Sequence, residues 1–231
     1  MRSYRLSRIG LLLTAILLTP NPAAAQTASA APDQEVFTYR WRLGGFKGML
    51  ARLILPGAGE AVLRTGGDGD GRLISELHIT SPESRRGEFW RYGAEIDSLE
   101  CRRTRSAWTQ QYFRGRAKEK RDKIEEDGIF DIPSSICRIR RQPPEQPILT
   151  RIWSDGTIYH VRIAKRATGT WRLGGRTVAT RTFSVEGVKR PGERLWKGRL
   201  DVVLAQDEAV TPLEIALVQR GLEVRLRLVD R

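Results

Sequence analysis

The stretch Asp131-Ile132-Pro133-Ser134-Ser135-Ile136-Cys137-Arg138-Ile139-Arg140-Arg141 is the strongest helix candidate in a chain that otherwise reads as strands. Asp131 can cap the first turn with its carboxylate, and Pro133 sits where a missing N–H costs little. Ile132, Ile136 and Ile139 fall at i, i+4 and i+7, on one helix face. Arg138, Arg140 and Arg141 lie near the C-terminal end, where the helix dipole favours cations. Gln142-Pro143-Pro144 stops the element. Cys137 lies inside it, and the other cysteine of the chain is Cys101.

Outward from this helix, the two flanks alternate. Toward the N-terminus, Phe37, Tyr39, Trp41 and Leu43 share one side of a strand, with Thr38, Arg40 and Arg42 on the other. Gly44-Gly45 signals a turn, Lys47 to Leu55 a second strand pairing back, and Glu60 to Thr65 a third. Gly66 to Gly71 is a turn, and Arg72 to Thr80 a fourth strand. The Asp68-Gly69-Asp70-Gly71 run lacks the further oxygen ligands of a calcium loop, so it reads as a hairpin turn. Ser81-Pro82-Glu83 can begin a helical turn. Leu99 to Arg116 reads as one or two strands, and the charged Lys118 to Asp127 as a helix face or an exposed edge strand.

Toward the C-terminus, Ile148–Ser154 and Thr157–Arg166 form a hairpin across Asp155-Gly156. Thr168–Leu173 and Thr177–Val185 pair across Gly174-Gly175. The string Trp-Arg-Leu-Gly-Gly occurs at Trp41–Gly45 and again at Trp171–Gly175, through related hairpins, shared turn chemistry or chance. Leu195–Gln206, Thr211–Arg220 and Leu222–Val229 complete a meander. The reading is mainly β: ten or more strands in a large curved antiparallel sheet, a half-barrel or β-spiral, wrapping one or two short helices.

The N-terminus predicts export. Arg2, Arg5 and Arg8 precede an apolar run from Ile9 to Leu18, and Ala23-Ala24-Ala25 makes a small-residue cleavage site before Gln26. The run falls short of the roughly 20 apolar residues that span a bilayer. Residues 1–25 are therefore expected to be a signal peptide, 26–35 a disordered leader and 36–231 a single periplasmic domain. No later stretch is apolar enough to cross a membrane. The chain carries +13, or +10 without Arg2, Arg5 and Arg8. Export argues against nucleic acid as the partner and for an anionic envelope lipid or lipoprotein. Two cysteines in an exported protein suggest one bridge, Cys101 to Cys137, closing a loop of about 35 residues worth about 3–4 kcal/mol. A redox pair is the alternative, but there is no Cys-x-x-Cys spacing.

Catalytic signals are thin. His78 and His160 are the two imidazoles, each in an alternating segment. There is no Gly-x-Ser-x-Gly elbow, His-Glu-x-x-His or phosphate loop. Ser134-Ser135 sits at a helix start, and Asp207-Glu208 in a turn. The reading names no catalytic residue, metal or cofactor. The strand aromatics Trp41, Trp108, Tyr112, Trp153, Tyr159 and Trp171 either pack on the helix as core or line an apolar pocket inside the curl.

The run from Asp131 to Ile136 with Arg138 and Arg140 resembles a motif of domain-of-unknown-function family 3108, uncharacterised exported bacterial proteins. So do Leu195-Trp196-Lys197-Gly198-Arg199-Leu200-Asp201-Val202-Val203-Leu204 and Thr211-Pro212-Leu213-Glu214-Ile215. Phe37 to Trp41 fits that family's first strand. The resemblance implies a periplasmic, strand-rich fold, similar to the half-barrels of periplasmic lipoprotein carriers, with no established activity. The expectation is a non-catalytic module binding a hydrophobic or anionic envelope component, such as a lipid, a lipoprotein or a lipopolysaccharide-related molecule. An envelope scaffold acting through protein contacts is the alternative, and a hydrolase of envelope polymers the more remote one.

Overall fold

Chain order gives β1 (Glu35–Gly44), α1 (Gly45–Ala51), β2 (Ala58–Gly67), β3 (Leu73–Thr80), β4 (Phe89–Ile96), β5 (Thr104–Phe113), β6 (Arg116–Lys123), β7 (Ile129–Phe130) and α2 (Ile132–Arg141). Then come β8 (Ile148–Ser154), β9 (Thr157–Leu173), β10 (Arg176–Gly187), β11 (Arg199–Ala205), β12 (Pro212–Gln219) and β13 (Leu222–Leu228). The structure, a computed structural model, describes residues 34–51, 56–82, 88–219 and 221–229. The expected signal peptide lies outside the described residues, as does most of the expected leader. β1 takes in Glu35, one residue before the expected domain boundary.

The thirteen strands form one curved open sheet, in the order β6-β5-β4-β3-β2-β1-β13-β12-β11-β10-β9-β8-β7. Every neighbouring pair is antiparallel except β7 with β8. A flat sheet of this many strands would be roughly 60 Å wide. Here Tyr39, Leu63, Leu77, Val161, Phe183, Leu200, Ile215 and Leu226 meet Ile132, Ile136 and Ile139 of α2 in one buried cluster. Strands so far apart in the order can share one cluster only if the sheet rolls around the helix. Asp131 caps α2: its carboxylate accepts from Ser134 N, and Ser134 Oγ accepts from Asp131 N, at 2.9 and 2.8 Å. The Cys101–Cys137 disulfide ties the β4–β5 turn to α2, with 6.0 Å between the Cα atoms.

Several expected elements differ. Of the expected strand Lys47 to Leu55, residues 47–51 belong to α1 instead, Gly45 at φ +69 turning the chain into it, and residues 52–55 lie outside the described residues. Lys47, Met49, Leu50 and Ala51 favour a helix, and none of them is β-branched. β1 pairs instead with β2, which contains the expected strand Glu60–Thr65. Thr157–Arg166 and Thr168–Leu173 are one 17-residue strand, β9. Thr182 pairs with Ala167 and Phe183 with Lys165, so Arg166 is an extra residue that bends the strand without ending it. The two Trp-Arg-Leu-Gly-Gly strings do different things, one leading into α1 and the other making the β9–β10 turn. Of the expected Ser81 helical turn, residues 83–87 lie outside the described residues. The charged segment becomes β6, an edge strand exposed on both faces.

The two ends of the sheet face each other. Trp153 Nε1 of β8 donates to Asp122 of β6 at 2.7 Å, and Lys118 of β6 pairs with Asp155 of the β8–β9 turn at 2.5 Å. Ala107, Ile124, Ile129 and Trp153 form a small buried cluster beneath this seam. The barrel is thus closed there by side chains rather than by a backbone ladder.

Candidate functional site

The two ends of the rolled sheet differ. At one end α2 fills the interior. Arg140, 2 % exposed, donates to the carbonyls of Ala209 and Val210, pairs with Glu35 at 3.1 Å and lies over the Phe37 ring. The other end, where β1 and β3 finish and β4, β9 and β13 begin, is open.

This mouth has two connected parts. A largely apolar cleft of about 120 Å³ is lined by Trp41, Leu43, Ile79, Trp90, Leu217 and Val224 among others. Beside it lies a bowl of about 650 Å³, lined by Thr109, Gln111, Lys118, Asp155, Tyr159, Trp196 and Lys197 among others. Tyr92, Gln219 and Leu222 line both. The register explains the arrangement. Leu77, Tyr92 and Thr109 lie side by side on the inner face of β3, β4 and β5, with Ile79, Trp90 and Gln111 one step nearer the mouth. Trp41 is fixed there by donating Nε1–H to Thr80 O at 2.7 Å. Gly59 opposite it has no room for a side chain, since a Cβ would sit 2.6 Å from that indole nitrogen. Gly198 likewise lies against the Trp196 ring, 2.4 Å from where a Cβ would be. Burial, with a smaller push from the Asp155 charge, raises the Tyr92 phenol to about 12, so it stays a neutral hydrogen-bond donor.

The six expected ligand-facing aromatics do not share this face. Trp41 and Tyr159 line the mouth. Trp153 stands at the seam. Trp108 projects from the opposite, outer face, with the Arg121 guanidinium 4.8 Å from its ring centroid. Tyr112 is also outside, stacked on Phe89 at 6.1 Å. Trp171 lies on the extended part of β9, 5.7 Å from the Arg227 guanidinium. A strand aromatic reads the same from either side; only the parity of its register with the core tells which side it faces. Trp90, Tyr92 and Trp196 complete the mouth, and the first two alternate within Phe89-Trp90-Arg91-Tyr92, so period two could have placed them together.

The other candidate groups have structural partners. His78 lies on the outer face of β3, edge-on to Phe89, with burial lowering its pKa. His160 pairs with Glu193 at 3.2 Å. Ser134 belongs to the helix cap. Asp207 accepts from Thr211 N and Oγ1 at 2.9 and 2.8 Å within its turn. Asp68 accepts from the backbone of Asp70 and Arg72, as a hairpin turn requires. Among the described residues no group of three or more His, Cys, Asp or Glu side chains could hold a metal ion. No described helix is long and apolar enough to cross a membrane.

No protein-family model matches the chain, and no curated protein does. The resemblance to family 3108 therefore stays a likeness of motifs. Among solved structures, the chain is similar to a beta-barrel-like protein of domain of unknown function DUF1849 from Brucella abortus. The two share 8 % identity over 87 % of this chain and 96 % of that one, at a TM-score of 0.49.

Proposed function

We propose that this is an exported, non-catalytic binding module of the bacterial envelope, which takes an amphipathic, anionic ligand end-on at its mouth. The observation that carries the reading is the continuity of the apolar cleft with the polar bowl through Tyr92, Gln219 and Leu222. The cleft is somewhat smaller than a cavity of about 150 Å³ that admits benzene. It suits the end of an acyl chain or one apolar side chain. The bowl falls within the roughly 300–1,000 Å³ of ordinary ligand sites. Lys197, Gln111 and Gln219 give it donors for a carboxylate or phosphate, while Lys118 is paired with Asp155 at its wall. A whole acyl chain inside the curl has no space, because α2 and the inner side chains occupy it.

The test is native mass spectrometry of the protein from its producing cell, together with titration by a fluorescent acyl probe. Leu222→Trp, which fills the junction of cleft and bowl, should weaken probe binding at least tenfold with little change in melting temperature. Protein that carries no envelope component and binds no acyl probe would sink the proposal. The filled interior and the exposed Leu149 and Ile158 would then favour an envelope scaffold acting through its surface.

A further inference from the structure

On the outer face of β1 and β13 four arginines form a block, Arg40 opposite Arg227 and Arg42 opposite Arg225. Like charges directly opposite in an antiparallel pair destabilise the sheet. Half of the block is balanced within the protein: Arg225 pairs with Glu214 and Glu223, and Arg227 with Glu214 at 2.8 Å. Arg40 and Arg42 are exposed, and among the described residues neither has an ion pair. Their neighbours on β2 are Glu60, which makes no ion pair with Arg40, and Ala58. The block lines an open trough of about 680 Å³ whose other walls include Leu43, Leu228 and Val229. Trp171 from β9 meets Arg227 at its flank. Leu43 lines both the trough and the mouth cleft, so the trough runs to the rim of the mouth.

We infer that this face docks the protein onto an anionic phospholipid surface, with Arg40 and Arg42 meeting headgroup phosphates. Guanidinium forks match phosphate oxygens in pairs, and two arginines that make no ion pair among the described residues supply the complementary sign. The trough is wide and open, which suits several headgroups rather than one enclosed anion. Val229 on the arginine face and Trp171 at its flank suit the boundary between headgroups and acyl chains, whereas Leu43 and Leu228 turn their side chains inward. An acidic peptide cannot join here by adding a strand, because β1 and β13 are hydrogen-bonded on both edges. Docking does not depend on what the mouth binds, but it would bring the mouth's rim beside the bilayer.

The test is co-sedimentation of the full chain with vesicles of phosphatidylglycerol and phosphatidylcholine in equal parts, and with phosphatidylcholine alone. R40Q/R42Q should weaken binding to the anionic vesicles roughly 30-fold, from about 1 kcal/mol per basic residue near such a surface. R102Q/R105Q removes the same charge from two other exposed arginines and should bind as the parent does. The inference is overturned if R40Q/R42Q binds like the parent, or if both double variants lose equally. It is also overturned if the parent binds phosphatidylcholine alone as tightly. Acyl-probe binding without vesicles reports on the mouth alone, so either proposal can fail without the other.

Discussion

Trp153 donates its indole N–H to the Asp122 carboxylate at 2.7 Å, and this bond joins strands from opposite ends of the sheet. With the Lys118–Asp155 pair it does at the seam what backbone ladders do between the other strands. Trp153→Phe keeps the ring but removes the donor. We expect a loss of about 1.5–3 kcal/mol, the net worth of a hydrogen bond to a charged group. Amide exchange should quicken in β6 and leave β1 and β13 unchanged. Uniform exchange across the sheet would show that the seam is not a separate unit.

The Cys101–Cys137 bridge spans a sequence separation of 36. Cys101→Ser, or reduction, should cost about 3–4 kcal/mol in the chain-entropy account. For a domain of this size that lowers the melting temperature by roughly 10 °C. The far-ultraviolet spectrum of the folded protein should not change. An unchanged midpoint would mean that α2 is held by its packing alone.

Asp131 gives a pH dependence. Burial raises its carboxyl from the ordinary 3.8 to about 7, against hydrogen bonds from Ser134 that lower it, and its Oδ2 has no partner among the described residues. The folded state therefore holds this proton more tightly than the unfolded chain. The resulting stability is fully present below pH 3.8 and is lost as pH rises through about 7. Asp131→Asn keeps a cap acceptor and stays neutral. Its melting temperature should fall less than the parent's between pH 5 and pH 8. Parallel curves would refute the shifted carboxyl.

Gly93 lies under Trp108, and a Cβ there would meet the indole at 2.3 Å. Gly93→Ala should cost about 1–3 kcal/mol through overpacking. Adding Trp108→Leu should return part of that loss in a thermal melt. A neutral Gly93→Ala would show that the outer indole moves freely.

The helix, its cap, its buried isoleucines and the meanders on both sides were legible because each depends on local spacing. Asp131 to Arg141 carries its own start, face and stop. The β1 alternation likewise names Tyr39, Trp41 and Leu43 as inward. What stayed hidden depends on distant partners. Arg140 reads as a terminal cation, yet it is buried because Glu35 and the Ala209 and Val210 carbonyls converge on it. Trp108 and Trp41 look equivalent in sequence, and only register sends one outward and the other into the mouth. Within the expected strand from Lys47 to Leu55, residues 47–51 misled because their alternation was weak and Gly45 redirected the chain.

The pairing of β1 with β13 has a consequence for the order of events during synthesis. Residues 35–44 leave the ribosome well before their partner at 222–228, with most of the other strands made in between. Until then Tyr39 lacks the Pro212 carbonyl its hydroxyl binds, and one edge of β1 is unguarded. A chain built this way cannot complete its sheet until β13 has been made.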